Sequence, residues 1–516
     1  MHSAITHTAI WIPGWRIVAL GLLLVWWVYL RLQSRGQNKI IQLFGQKHGC
    51  KPVYKRLPCK WPFALDILKA QYEAFMRGTL LATQAEYFEK MQIEKTFQIK
   101  LLGRVGYFTI DPRNLEAMLQ TDFDSWEIGL SRDPLLPMIG HGIFTQDGHA
   151  WKHSREIMRR QFVRMQYQDM SIFEKPVESM LASLRESRGV VDLQPVFFRF
   201  TLATTVSLIF GELATGLTQS DHEDFAEAFG YTSQISAMRM RLAEFSWLYT
   251  PPKYLKACTL INQYASRYVD NALKDLEKNG GKPYSRVNPF ILDLYAELKD
   301  RKLVRDQLMN VLIAGRDTTA CLISRACYLL VRHPASLECL RQEIASFATN
   351  KEELTRAQIS KMTYLRYVLN ETNRLYTQIP VNVRLARETT YLPRGGGSDG
   401  ESPLVIPKGT GVGFSTYLMH RSKDIYGEDA NEFVPERWAD PAVKKKGFAF
   451  LPFHGGPRIC LGKDFALAEA SYGFVRLLQG FPNLRLPPGT DVTTPGSEKQ
   501  NLTIVVSSAE GCKVML

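Results

Sequence analysis

The pattern of apolar positions divides the chain into three unlike stretches. The first is short: IVALGLLLVWWVYL, residues 17–30, is a run of 14 positions without a charge. Taken back to Trp11 it spans 20 positions and includes Pro13 and Arg16, about the length a helix needs to cross ~30 Å of hydrocarbon. In the second, from about residue 64 to 380, apolar residues return at helical period with few Gly or Pro interruptions. The longest helix this predicts runs from about Val304 to His333, where HP stops it. In the third, from 380 to the end, Pro and Gly cluster between short β-type runs such as LVIPKGTGVGFS. No internal repeat is visible. The expected fold is mainly α with small β-sheets (α+β), one large catalytic unit and not several domains. Its expected parts are a membrane anchor at 1–35, a proline-containing linker at 36–63 and a catalytic domain at 64–516.

Charge sharpens the first stretch. Arg31, Arg35, Lys39, Lys47 and Lys51 follow the apolar run, and only His2 and His7 precede Arg16. That asymmetry predicts a single span with the rest of the chain in the cytosol. Trp11, Trp15, Trp26, Trp27 and Tyr29 suit the bilayer interfaces, and Arg16 can snorkel. A cleaved signal peptide is the alternative, but no small-x-small site follows the run. The net charge of +13 suits an anionic membrane surface or an acidic protein. Zinc-finger spacing, RNA-binding signatures and long Lys/Arg blocks are missing, so no nucleic-acid partner is expected. The 8 cysteines are scattered without a CxxC pair, which suits reduced thiols on a cytosolic face.

One cysteine stands apart. In FHGGPRICLG, residues 453–462, Cys460 sits among Gly456, Arg458 and Gly462, with Phe453 opening the run. A buried structural thiol is the ordinary reading of a lone cysteine. Here glycines allow backbone to approach a flat ligand, and a helix, DFALAEASYGFVRLL, starts just beyond Gly462. Nearby N–H groups and the helix dipole favour a thiolate. A haem iron held by cysteine thiolate meets these needs. RGGGSDGESP, residues 394–403, has neither the spacing nor the following helix of a phosphate loop and reads as a surface hairpin.

Phe453, Gly456, Arg458, Cys460 and Gly462 together form FxxGxRxCxG, which resembles the haem-binding signature of the cytochromes P450. Three further motifs follow the same family. ETNR places Glu371 and Arg374 at i, i+3 on one helix face. The resemblance implies that they join Arg437 of PERW in a charge triad behind the haem. AGRDTTA, residues 314–320, sits inside the predicted long helix although Gly315, Asp317, Thr318 and Thr319 are poor helix formers. Local sequence at odds with its element marks a functional place. The resemblance implies a groove there over the haem, with Ala314 and Gly315 against the cofactor. Thr318 would bond the reacting oxygen and Asp317 would feed it protons. WKHSR places Trp151 and Arg155 one helical turn apart, and the family uses such a pair on a haem propionate. Arg458 and Arg384, in the strand-like NVRLARE, are the other implied propionate partners. Lys152, Arg159, Arg160 and Arg164 continue the WKHSR helix as an ordinary solvated face or a docking face for an acidic reductase.

The resemblance implies a haem b (iron protoporphyrin IX) monooxygenase with Cys460 as axial iron ligand. It would use O2, electrons from an NADPH-cytochrome reductase and an apolar small-molecule substrate reached from membrane lipid. The expected location is the endoplasmic reticulum membrane. AGRDTTA, GGGSDG and the GCKP connector look most like the fungal alkane and fatty-acid hydroxylase branch, which implies an aliphatic chain as substrate. Thr377 departs from that branch, which more usually has proline there, and is expected at the pocket roof. FDSWEIGLSRDPLLPMIGHGIF, residues 123–144, is expected to form part of the substrate wall. The alternatives are a tailoring oxidase of a fungal polyketide or terpenoid pathway, a haem-thiolate isomerase or dehydratase, and a haem sensor. Intact Asp317 and Thr318 argue against the last two.

Overall fold

A computed structural model of the chain describes residues 38–90, 95–129, 132–166, 170–210, 219–278, 289–347, 354–492 and 494–516. The anchor expected at 1–35 lies outside the described residues. Beyond it, the 36–63 segment is not a free linker. Residues 38–47 are helical. The proline-broken part is then stitched to two sheets by bridges from Val53 to Gly397 and from Arg56 to Gln98.

The body is built from α1 (Leu65–Met76), α2 (Leu80–Lys90), α3 (Gly148–Gln166), α4 (Ser171–Arg185), α5 (Leu193–Phe210), α6 (Gln219–Leu242), α7 (Pro252–Lys278), α8 (Pro289–Leu298), α9 (Arg301–Leu330), α10 (Pro334–Phe347), α11 (Thr363–Leu375) and α12 (Lys463–Gly480). α9 is the expected long helix, 30 residues and therefore ~45 Å long. Asp300 caps it, accepting from the N–H groups of Lys302 and Leu303. Two hydrophobic cores meet along α9. Val304–Ile313 packs with α6, α7 and α8, and Ala320–Val331 packs with α4, α10, α11 and α12. α5, apolar on every side, is long enough to cross a bilayer by composition but is mostly buried against α9.

Four sheets complete the fold. β1 (Thr96–Leu101), β2 (Arg104–Thr109), β8 (Gly411–Ser415), β5 (Val381–Ala386) and β3 (Trp126–Glu127) form one sheet in that order. β6 (Thr390–Gly396) pairs with β7 (Ser402–Ile406), β9 (Gln500–Leu502) with β10 (Val506–Ser508), and β4 (Val190–Asp192) with β11 (Lys513–Met515). β1 to β4 interrupt a region whose pattern predicts helix. The β1–β2 hairpin turns on Leu102 and Gly103, both at positive φ, the two-residue geometry that matches strand twist. The GGGSDG segment closes the β6–β7 hairpin, as expected.

Candidate active site

The cysteine loop is held from three directions. Within the loop, Cys460 N–H donates to Phe453 O (3.0 Å) and Ile459 N–H to Gly456 O (3.0 Å). Gly456 takes φ +64°, and a Cβ there would lie 1.7 Å from Leu119 O. Only glycine fits that approach of two backbones. Gly462 caps α12, and a Cβ on it would make only an ordinary contact, 3.5 Å from Phe162. Cys460 has an exposed thiol in an otherwise interior setting. Burial raises its pKa, and the Gly462 N–H and Arg155 act in the opposite sense. A thiol that is accessible, desolvated and faced by N–H and guanidinium donors suits a metal cation that would deprotonate it.

Behind the loop stands a dense polar network. Glu371 and Arg374 on α11 are each 0% exposed. Glu371 Oε2 accepts from Arg374 Nε (2.9 Å) and Trp438 Nε1 (3.0 Å). Its Oε1 accepts from Arg374 Nη2 (2.8 Å), Arg437 Nε (2.9 Å) and Val434 N–H (3.0 Å). Arg374 also donates to the carbonyls of His420, Ala430 and Glu432. His420, which the motifs did not single out, accepts from Leu451 N–H at 2.9 Å, two residues before the loop. Burial pushes its pKa down to about 3, so it stays a neutral acceptor.

Beside the loop lies a cationic rim. Arg155 donates to Ile459 O (2.8 Å), and Arg458 stacks 4.2 Å from the Trp151 ring centroid. Arg384 on β5 bonds His454 Nε2 (2.9 Å), Asn382 Oδ1 (3.0 Å) and Val383 O (2.8 Å), while its Nε is buried without a partner. Asp147 is the carboxylate paired with Arg458. Burial lowers the pKa of Arg384 to about 9 and of Arg458 to about 10, with the neighbouring arginines adding to the strain on both. Arg155 is lowered too, and burial together with Arg384 holds His454 near 3. Three desolvated guanidiniums with one carboxylate among them, plus an orphaned Arg384 Nε, fit an anion carrying two carboxylates. The residues present therefore suit a haem: thiol below, propionate donors at the side. Asp147, Asn382 and His454 carry no motif of their own, although His454 stands inside the quoted loop.

The remaining face comes from α9. Residues 306–313 and 319–331 are buried, but Ala314, Gly315, Arg316 and Thr318 are partly exposed in mid-helix. Partial exposure in mid-helix, at the junction of two cores, fits a space, or chamber, left there for a ligand. The helix runs through this point unbroken, and Thr318 Oγ1 donates to Ala314 O at 2.6 Å, a back-bond that bends helices. Asp317 is buried beside Arg316 (3.3 Å), with Oδ1 lacking a hydrogen-bond donor. Burial raises its pKa and Arg316 opposes the rise. Gly315, expected against a cofactor, meets a second demand from its neighbour helix. A Cβ on it would meet Thr205 Oγ1 at 2.5 Å, so its bare backbone serves the close approach of α5. Thr377, expected at the pocket roof, is 1% exposed. A buried acid that sequence reasoning missed, Glu469 on α12, accepts from Thr204, and burial pushes its pKa up to about 8. The basic face of α3 is largely neutralised: Arg160 pairs with Glu297, Arg164 with Asp293 and Lys152 with Asp124.

The comparisons agree with this geometry. The profile of the family described as Cytochrome P450 matches residues 57–510. A protein of Arthroderma benhamiae named cytochrome P450 is 40% identical over 501 residues, covering 95% of this chain and 96% of its own. Cytochrome P450 52A5 of Candida maltosa is 39% identical over 456 residues, covering 83% and 84%. Cytochrome P450 52A1 of Candida tropicalis is 38% identical over 467 residues, covering 85% and 84%. Among solved structures, the haem domain of cytochrome P450DA superposes with a TM-score of 0.71 at 18% identity, covering 90% of this chain and 97% of that one. Motifs, fold and relatives coincide: the chain belongs to the cytochrome P450 family of haem-thiolate monooxygenases.

Proposed function

We propose that this enzyme is a membrane-bound hydroxylase of aliphatic chains, supplied with electrons by an NADPH-cytochrome reductase. The observation that carries it is the apolar wall beside the site. Ile379, Val381 and Val383 remain exposed on the segment that bears Arg384, and Phe144 on the segment that leads to Asp147. A lining of exposed aliphatic and aromatic side chains suits a hydrocarbon. Similarity to the cytochromes P450 52A of Candida and the resemblance of AGRDTTA and GGGSDG to the alkane and fatty-acid hydroxylase branch support the same reading.

In this proposal Cys460 ligates the iron of haem b, and Trp151, Arg155, Arg384 and Arg458 hold its propionates. Phe453, Gly456 and Gly462 shape the loop, and Glu371, Arg374 and Arg437 fix it from behind. Bound haem supplies the reductive activation of O2. The chain's own part is to exclude water and deliver protons. Asp317, whose pKa burial raises against the pull of Arg316, would bring a proton one residue from Thr318. The Thr318 hydroxyl turns from Ala314 O towards the chamber and hands that proton on. Ala314 keeps the chamber wall small.

The membrane face is proposed from a second patch. Trp61, Phe63, Tyr72 and Met76 around α1 are exposed, as are Phe245, Trp247 and Leu248 after α6. Arg241 stacks 4.4 Å from the Phe75 ring and ties the two groups together. With the anchor at 1–35, this apolar surface would lie on the endoplasmic reticulum bilayer and take substrate from lipid. The test is turnover by membranes carrying the enzyme and a fungal reductase, given NADPH and a chain-length series of alkanes and fatty acids. Terminal hydroxylation, mapped by mass spectrometry, is expected. No product alongside a normal reduced-CO thiolate band would overturn the aliphatic substrate and leave the haem chemistry standing.

A further inference from the structure

A cleft of about 460 Å³ opens between the short turn Leu136–Ile139, α7 and the start of α9. It belongs neither to the cysteine loop nor to the chamber beside residues 314–318. Its wall is apolar at Leu136, Pro137, Leu255 and Cys258 and polar at Asn262, Gln263 and Ser266, and its end on α9 carries Lys302, Arg305 and Asp306. These two cations stand at i, i+3 on one helix face. Asp306 occupies Nε and Nη2 of Arg305, which leaves Nη1 facing outward without a partner among the described residues. Lys302 likewise makes no side-chain ion pair there, and Arg301 next to it is already paired with Asp270 and Glu277. Asp300 caps the first N–H groups of α9, so an anion in the cleft would be held by side chains and not by helix backbone. The helix dipole adds to the attraction.

We propose that this cleft is a second ligand site, specific for an amphiphilic monocarboxylate. The carboxylate bridges Lys302 and Arg305, and the chain lies against the apolar wall. The volume falls within the range of small-molecule sites. The site also touches the active-site wall. Asp306, shared with Arg305, accepts from His141 N–H (3.0 Å), and Asn310 one turn on accepts from Phe144 N–H (3.0 Å) and donates to Ile139 O (3.0 Å). Gly140 and Gly142 are bare because a Cβ would collide with Asp306 and Asn310. An anion on Arg305 therefore competes for the cation beside the carboxylate that pins the Phe144 segment.

The test uses the full-length holoenzyme with a bulky azole on the haem, so that the chamber is blocked. Dodecanoate is added and its binding followed by calorimetry, with the Soret band recorded in parallel. One saturable equivalent with no Soret change is expected. Lys302→Glu, which the helix dipole tolerates, should weaken it about tenfold, and Thr259→Trp, on the exposed rim of the cleft, should abolish it. Dodecyltrimethylammonium should not compete. Absence of binding to the blocked enzyme, binding unchanged in both variants, or equal competition by the cation would each overturn the proposal. None of these depends on turnover, so failure of the aliphatic-substrate reading would be seen separately.

Discussion

Two buried arginine clusters flank the cysteine loop, and they differ in completeness. Around Glu371, one carboxylate takes five donors, and Arg374 spends its remaining N–H groups on three carbonyls. Around Trp151, Asp147 pairs with Arg458 alone of the three guanidiniums, and Arg384 Nε has no partner among the described residues. Both are desolvated, yet only the second is short of negative charge. Burial without compensation is costly, so a cluster left incomplete by the chain itself is one that a ligand completes. The first cluster is architecture, and the second is the one that the proposed function assigns to the haem propionates.

The sharpest way to break this contrast is Glu371→Gln. It leaves Arg374 buried without its counter-charge and Arg437 with Asp429 alone, and should cost about 3–5 kcal/mol. Thermal unfolding and the reduced-CO spectrum would show a destabilised protein with little thiolate-bound haem. Arg384→Met should behave differently. Before haem is added, the change should be neutral or stabilising by about 1 kcal/mol, because a poorly compensated cation is removed. With haem bound, haem loss to an acceptor such as apomyoglobin should quicken by about tenfold. Equal destabilisation of the haem-free protein by both variants would erase the distinction. Asp147→Asn sharpens it from the other side: removing the rim's carboxylate should leave haem retention at or above wild type. A marked fall would mean that Asp147 orients Arg458 more than it neutralises it.

The most gradual effect concerns Glu469. Its folded pKa, about 8, is raised above the ordinary glutamate value, so the folded state holds a proton that the unfolded state releases. Stability should therefore decline as pH rises from about 4.5 to about 8, by at most about 1.4 kcal/mol per pH unit. Glu469→Gln should flatten that decline, and the two proteins should converge near pH 4.5. Denaturant unfolding of both across this range is the measurement, and parallel curves would refute the assignment.

Much of this was legible in the chain. The 30-residue α9 follows from its apolar period and its HP stop. The Glu371–Arg374 contact follows from i, i+3 spacing, and the tight turn at Gly456 from a glycine in a short loop. The β1–β2 hairpin was not legible, because its alternation is short and lies within a helix-rich region. Nor was the pairing on α3. A row of basic residues looks like an open face until Asp293, Glu297 and Asp124 arrive from other elements. The sequence also did not show that Thr205 Oγ1, on another helix, needs the bare Cα of Gly315.

By itself, then, the sequence determined what spacing along one chain can express: helix period, a pair on one face, a loop built around a cysteine, and the family these imply. Tertiary structure decided which charges meet. Arg155, Arg384 and Arg458 converge from three separate segments, and His420 reaches Leu451 across 31 residues. Desolvation then makes the outcome matter. An arginine at the surface is indifferent to its neighbours, whereas one buried beside two others acquires a requirement for an anion that no local pattern records.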